Sequence, residues 1–344
     1  WAIVAMGLNM LSGFNGQISL GHGAFVLLGA YTTAILLDNK EQLGFIDSSP
    51  WPFWTTIFAA GIVGGLAGLV LGVPALRLTG PYLAIATLAF MISTPQVLRK
   101  YDGLTGGTQG LIIRQPRIPF GLKGELTNDQ WMYLFCLAIA VLMLLVAWSV
   151  LRGPLGRAFV AVRDSEVAAA AMGINVARTK VIAFTISACY AGVAGSLLTM
   201  LVEVMTPDSV DILTSINFLT AIVIGGLASI LGSVIGAAVL VFLPSDGPDL
   251  VEKLRFLPEE LRRPGVIQGA LVIIVILLVP YGFAGTYHRL VNVRPAQARD
   301  WVLGLPGRTW ARAKGIRDNV VWAWEDMPWN RESIAAPKDA KEVD

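Results

Sequence analysis

The sequence predicts an all-α, polytopic transmembrane helical bundle with discontinuous helices and one helix standing in the cytoplasm. Three observations predict it. Hydrophobic residues make up 55% of the 344 residues and charged residues only 15%, against about 25% charged in soluble domains. Apolar runs recur along the chain, several of them near the roughly 20 residues that a spanning helix needs. Some runs are instead interrupted by polar, glycine-rich intervals without a charge, and non-helical backbone at membrane depth is tolerated only where protein buries it or where it lines a cavity.

The runs fall at about 1–12, 22–37, 53–73, 82–98, 131–151, 181–202, 212–227, 231–243 and 266–283. SGFNGQISLG separates the first two, and two short runs flank GGLASILGS. Broken membrane segments are therefore predicted near 13–21 and 225–232. Glycine is abundant, 36 residues, where about 7% is average. Gly225, Gly226, Gly232 and Gly236 predict close packing, because small residues let helices approach in lipid. A transmembrane domain is expected over 1–285. Because the chain starts at Trp1, without a methionine and already inside an apolar run, a further N-terminal portion is expected before it.

Residues 152–180 form a charged, helix-prone block between apolar runs. Arg152, Arg157, Arg163, Arg178 and Lys180 face only Asp164 and Glu166, and an excess of Lys and Arg in a short loop marks the cytoplasmic side. Alanine favours helix, Ser165 or Asp164 can cap it, and Gly156 and Gly173 punctuate its ends. Arg163 and Glu166, three apart, are expected to be neighbours on one helical face, where an exposed pair contributes about 0.2–0.5 kcal/mol. That is too little to explain them by stability. Segments 38–52 and 203–211 then fall outside and carry mostly acids, as the rule requires; 99–130, also outside, carries five bases and three acids and disagrees mildly.

Residues 286–344 change character, with ten bases, eight acids and five tryptophans (Trp301, Trp310, Trp322, Trp324, Trp329). They read as a cytosolic tail with interface-seeking stretches. Its last residues, AAPKDAKEVD, have the composition of disorder.

Several chemistries are excluded. A net charge of +2 gives no electrostatic footprint for nucleic acid. Cys136 and Cys189 both lie inside apolar runs, which argues against a disulfide framework or a zinc site. No phosphate loop occurs, and Gly-Lys does not occur at all, so ATP hydrolysis would have to be done by another chain. LSGFNGQ at 11–17 and TGGTQG at 105–110 are therefore not nucleotide motifs. The uncharged polar residues Asn9, Asn15, Gln17, Ser19 and His22 have two readings: hydrogen bonding between helices, commonly worth about 0.6–2 kcal/mol, or lining a path for a polar solute, whose charges are costly at mid-bilayer. His22 has only His288 as a fellow histidine, far away in the tail, so a metal site is not expected.

LNMLSGFNGQISLGHGAFVLLGAY at 8–31, GPYLAIATLAF at 80–90, DGLTGGTQGL at 102–111, the 152–180 block and IGGLASILGSVIGA at 224–237 together resemble the LivM-type permeases of bacterial branched-chain amino acid ABC importers. The resemblance runs over 1 to about 283 and omits the tail. It implies a non-hydrolytic, multi-pass permease subunit of a bacterial inner membrane, set in lipid. Its partners would be a second, LivH-like permease, two cytosolic ATPase subunits and an external substrate-binding protein, with no cofactor on this chain and ATP and Mg on the ATPases. Residues 157–173 look like the coupling helix. Arg157, Arg163, Asp164 and Glu166 would orient its docking, Phe159, Val160 and Val167 would fill the ATPase groove, and Gly173 falls seven residues after Glu166, a departure from the general importer pattern. The path would include Asn9, Asn15, Gln17, Ser19 and His22, with Thr105, Gly106, Gly107 and Thr108 in a flexible external or re-entrant gate. Permeases for urea and short amides look similar. An ion-coupled secondary transporter is the alternative of another class, opposed by the shortage of acids within the spans.

Overall fold

The computed structural model describes residues 1–38, 53–75, 78, 80–113, 127–202, 204–245 and 269. Apart from residue 269, the expected span at 266–283 and the tail at 286–344 lie outside the described residues. Helices dominate: α1 (Ala2–Asn9), a π-helical turn (Met10–Phe14), α2 (His22–Asp38), α3 (Phe53–Ala75), α4 (Pro81–Lys100), α5 (Asp102–Thr105), α6 (Asn128–Arg152), α7 (Pro154–Asp164), α8 (Glu166–Ala171), α9 (Val176–Leu201), α10 (Ile212–Gly225) and α11 (Ile230–Ser245), with two-residue strands β1 (Leu111–Ile112) and β2 (Val204–Met205).

Among the described residues, four helices are long and apolar enough to cross a membrane: Trp54–Pro74, Pro81–Lys100, Asn128–Arg152 and Val176–Leu201. The shorter apolar helices, Ala2–Phe14, His22–Leu37, Ile212–Gly225 and Ile230–Val241, are those that adjoin the two intervals expected to be broken.

Helix α9 is the central post. Its 26 residues extend about 39 Å at 1.5 Å per residue, and 67% of its apolar window is buried inside the protein, against 11% for α6. Helices α2 and α3 pack on it through Gly192. A Cβ there would lie 2.3 Å from the Ala60 carbonyl oxygen, and one on Gly29 would lie 2.2 Å from the Gly192 carbonyl oxygen, so backbone meets backbone on both sides. With little hydrophobic drive between helices in lipid, such close packing and interhelical hydrogen bonds carry association. The Thr33 hydroxyl donates to Ser196 Oγ at 2.7 Å and the Thr199 hydroxyl to the Ala30 carbonyl at 3.0 Å. Gly236 behaves as its spacing predicts, its Cβ position falling 2.0 Å from the Ala221 carbonyl oxygen where α10 and α11 pack.

Helix α6 begins with a capping box between Thr127 and Gln130 and carries Asp129 in its first turn and Arg152 in its last, charges that suit the helix dipole. The Arg152 guanidinium sits 3.8 Å from the Trp148 ring centroid, and the Tyr190 hydroxyl ties α9 to the Met143 carbonyl at 2.8 Å. The outer faces of α3, α4 and α6 expose Phe58, Ile62, Val70, Ile85, Leu142 and Leu145. Apolar surface on that scale marks contact with a membrane or another protein.

The two ends of α9 differ. At its C-terminal end β1 pairs antiparallel with β2, Arg99 forms an ion pair with Asp208, and the Tyr31 hydroxyl reaches the Met205 carbonyl at 3.4 Å. The described parts of 99–130 and 203–211 thus share one end, and α7 and α8 stand at the other. The mildly basic character of 99–130 therefore does not disturb the alternation of sides.

Candidate functional site

The first break follows from local chemistry. After α1 the chain widens into the π-helical turn. The Ser12 hydroxyl then donates to the Gln17 carbonyl at 2.9 Å and the Gln17 amide to the Leu11 carbonyl at 3.1 Å. These bonds satisfy groups that leaving the helix would orphan. Residues 15–21 run on without helix until His22. The second break, Gly226–Ser229, separates α10 from α11 and contains Ala228 at φ 61°, a left-handed conformation uncommon for a residue with a Cβ.

Asn9 joins the two breaks. Its Nδ2 donates to the Ser229 carbonyl at 2.7 Å and, more weakly, to the Gly226 carbonyl at 3.4 Å, while its Oδ1 accepts from the Ala228 amide at 2.9 Å. Its carboxamide is thus occupied by backbone, in keeping with the reading of this side chain as hydrogen bonding between helices. Ser19 and His22 are also fully engaged. Ser187 donates to the Gly7 carbonyl at 2.7 Å, so toward His22 Nε2, 2.6 Å away, it accepts. A neutral ring protonated on Nε2, with Nδ1 accepting from Ser19 at 3.0 Å, satisfies every member. Gln17 Nε2 donates to the Lys180 carbonyl at 3.3 Å.

Asn15 is different. It is 2% exposed, yet neither polar atom of its carboxamide has a partner. It lines a cavity of about 110 Å³ with Gly16, Gln17, Leu83, Arg163 and Lys180, large enough for several waters. Such water would supply the missing partners.

The charged block at 152–180 departs from expectation in three ways. Residues 157–173 are not one helix: Ser165 is extended at φ −163° and ends α7, and its side chain caps α8 by accepting from the Ala168 amide at 3.2 Å. Serine is a favoured N-cap, and here it interrupts the block instead of starting it. Arg163 and Glu166 consequently do not face each other. Arg163 pairs with Asp164 at 2.9 Å and Glu166 with Lys180 at 2.7 Å. Phe159 is fully buried in this chain's own core together with Val162, so it is not available to fill a groove on a partner; Val160 is half-buried. Val167 and Met172, each 83% exposed, are the outward apolar residues, and Arg157 reaches the Arg152 carbonyl at 3.4 Å. Gly173 closes the block at φ 83°.

The 105–110 loop begins in a turn tied by hydrogen bonds to the end of α4. The Thr105 hydroxyl donates to the Leu98 carbonyl at 2.6 Å and lies 2.9 Å from that of Tyr101. Gly106 and Gly107 take positive φ, and Thr108 is exposed. It lies at the end of the bundle opposite α7 and α8, so the structure does not bring it together with Asn15 and Gln17. Sequence reasoning missed Ser187 and Asn9's partners. A polar residue inside the long apolar run of α9 was the available signal for Ser187.

Asp211, at the N-terminus of α10, accepts from both the Thr214 hydroxyl and the Thr214 amide at 2.7 Å. The Thr214 hydroxyl bond foremost holds its carboxyl below the ordinary value.

With this geometry in place, comparison with known proteins is decisive at family level. The family model described as branched-chain amino acid transport system / permease component matches residues 1–279. The LivM high-affinity branched-chain amino acid permease proteins of Salmonella typhimurium and Escherichia coli are each 36% identical over 263 residues, covering 70% of this chain and 60% of the relative. The chain thus spans about 60% of the length of these LivM relatives. The LivH permease protein of Escherichia coli is 27% identical over 302 residues, covering 83% of this chain and 91% of the relative. No solved structure gives a significant match. Continuous over the apolar bundle and both breaks, the match places this chain in the branched-chain amino acid transport permease family, as a multi-pass membrane protein.

Proposed function

We propose that this chain is the non-hydrolytic permease subunit of an ATP-driven importer of branched-chain amino acids. The observation that carries the reading is the placement of α7 and α8: a charged helix pair at one end of α9, with Arg163 of α7 hydrogen-bonded to Gly13 in the first break. In this reading α8 and its flanks, with Val167, Met172, Glu166 and Arg157, meet a cytosolic ATPase subunit that holds ATP and Mg. A second, LivH-like permease completes the path, and an external binding protein delivers the solute. The membrane is a bacterial inner membrane, with the 152–180 block on its cytoplasmic side. Lids and pockets for nucleotide belong to the partner chains.

The path runs beside the first break, where Asn15 and Gln17 border the cavity. Among the described residues no Asp or Glu lies in the interior of an apolar membrane helix, which disfavours coupling to protons or sodium, since such coupling commonly uses acids at membrane depth. Urea or a short amide remains the second solute class, because Asn15 offers the paired donor and acceptor that an amide recognises. Reconstituted complexes test this directly. Leucine uptake that needs both ATP and the external binding protein supports the reading; ATP-independent uptake dependent on an ion gradient overturns it, and urea uptake without leucine uptake changes the solute.

A further inference from the structure

We propose that Arg163 is a positioning residue that links the cytoplasmic helix pair to both helix breaks, through Gly13 and Asn9. Arg163 was expected to face an ATPase, but its Nη1 donates to the Gly13 carbonyl at 3.1 Å, and its side chain is only 34% exposed. Asp164 holds the rest of the guanidinium in place. The stem also lies on the first break: a Cβ on Gly16 would fall 3.0 Å from Arg163 Cγ. Arg163 therefore grips the turn from two sides.

Gly13 is wedged between the two breaks. A Cβ there would lie 2.0 Å from Asn9 Oδ1 and 2.4 Å from the Ala228 amide nitrogen, so any displacement of the Gly13 backbone presses on that hydrogen bond. Asn9 Oδ1 holds the Ala228 amide at 2.9 Å, and Ala228 sits in the left-handed region, a conformation that persists only while its surroundings impose it. Coupling needs a contiguous physical element with two arrangements. The second break, with Ala228 in the left-handed region and Asn9 as its side-chain tie to the first break, is where we place that element, and the charged hydrogen bond from Arg163 to Gly13 connects it to the helix pair that a partner would move. This link rests on the functional reading for its role in transport, but not for its existence.

Arg163→Met keeps the apolar stem and removes the guanidinium, and Arg178→Met, at an exposed arginine in the first turn of α9, serves as control. In the full reconstituted complex, hydrogen–deuterium exchange is followed at the Ala228 amide, and solute moved per ATP hydrolysed is measured alongside. Loss of one charge-assisted hydrogen bond corresponds to about tenfold. Arg163→Met is expected to speed exchange at Ala228 by about that factor and to lower solute moved per ATP while hydrolysis continues; Arg178→Met leaves Ala228 exchange unchanged. Unchanged exchange in Arg163→Met, or an equal rise in Arg178→Met, overturns the link. Uptake and hydrolysis falling in strict proportion also overturns it, since that is what a docking role alone produces. If the wild-type complex shows no ATP-dependent uptake, the functional reading fails, while the exchange measurement still decides the link.

Discussion

Replacing Gly192 with alanine tests whether α9 is held to α3 by backbone contact. The added Cβ would stand 2.3 Å from the Ala60 carbonyl oxygen, 3.1 Å from its carbon and 3.2 Å from Gly64 Cα, all on α3. Relaxing the closest of these to 3.0 Å, below which real Cβ contacts are essentially unknown, displaces α3 by about 0.7 Å. Gly65 on the same face supplies the comparison, because its nearest neighbours across the interface, Cys189 Cβ at 3.6 Å and Thr185 at 3.8 Å, are at ordinary contact. Alanine gains about 1 kcal/mol of helix propensity over glycine at either site, so that gain cancels between the two variants. The difference reports overpacking alone, about 1–3 kcal/mol. Denaturant titration of the purified transporter complex, following α9 by a fluorescent label, should place Gly192→Ala below Gly65→Ala by that amount. Equal stability of the two would refute the backbone-to-backbone account of this interface.

Ser187→Ala leaves the buried Nε2–H of His22 without an acceptor, and the same titration should show a loss of about 1–3 kcal/mol; a neutral result would mean another group accepts the proton. Because the carboxyl of Asp211 is held below its ordinary value by Thr214, its cap of α10 contributes fully above the usual aspartate value of about 3.9 and is lost as pH falls through the lowered folded-state value. Exchange at the Thr214 amide should therefore rise only under that acid condition, and Asp211→Asn should flatten the dependence. Glu166 pairs with Lys180, whose side chain is 13% exposed against 52% for Glu166, so Glu166→Lys, which leaves that ammonium unpaired, should cost more than loss of a fully exposed pair, worth about 1 kcal/mol or less. Coupled uptake and ATP hydrolysis should fall together without loss of membrane insertion, as read by reconstituted transport and membrane fractionation.

The spans and both breaks were legible because lipid imposes one-dimensional rules. A helix in hydrocarbon needs an apolar run, and an uncharged, glycine-rich interval between short runs has no other use at membrane depth. What those intervals touch was not legible: Asn9 meets Ala228 across 219 positions of sequence, and nothing in either segment alone names the other. The helix pair shows the same limit. Gly156, Phe159 and Val162, all buried, sit at three-residue spacing and predict an apolar face, but spacing cannot say whether that face meets its own bundle or a partner. The structure turns it inward. Ser165 was read as a cap, and capping was the right chemistry; its place in mid-block, rather than at the edge, is what separated Arg163 from Glu166.

Site-directed cross-linking decides whether α8 and its flanks engage a cytosolic ATPase. Single cysteines replacing Val167 or Met172, both exposed, are paired in the native membrane with cysteines scanned across the proposed ATPase partner. The account predicts cross-links at both positions whose yield changes between nucleotide-free and ATP-bound states, and none from a cysteine at Thr108, at the opposite end of the bundle. Cross-linking from Thr108 with none from Val167 or Met172 would contradict it.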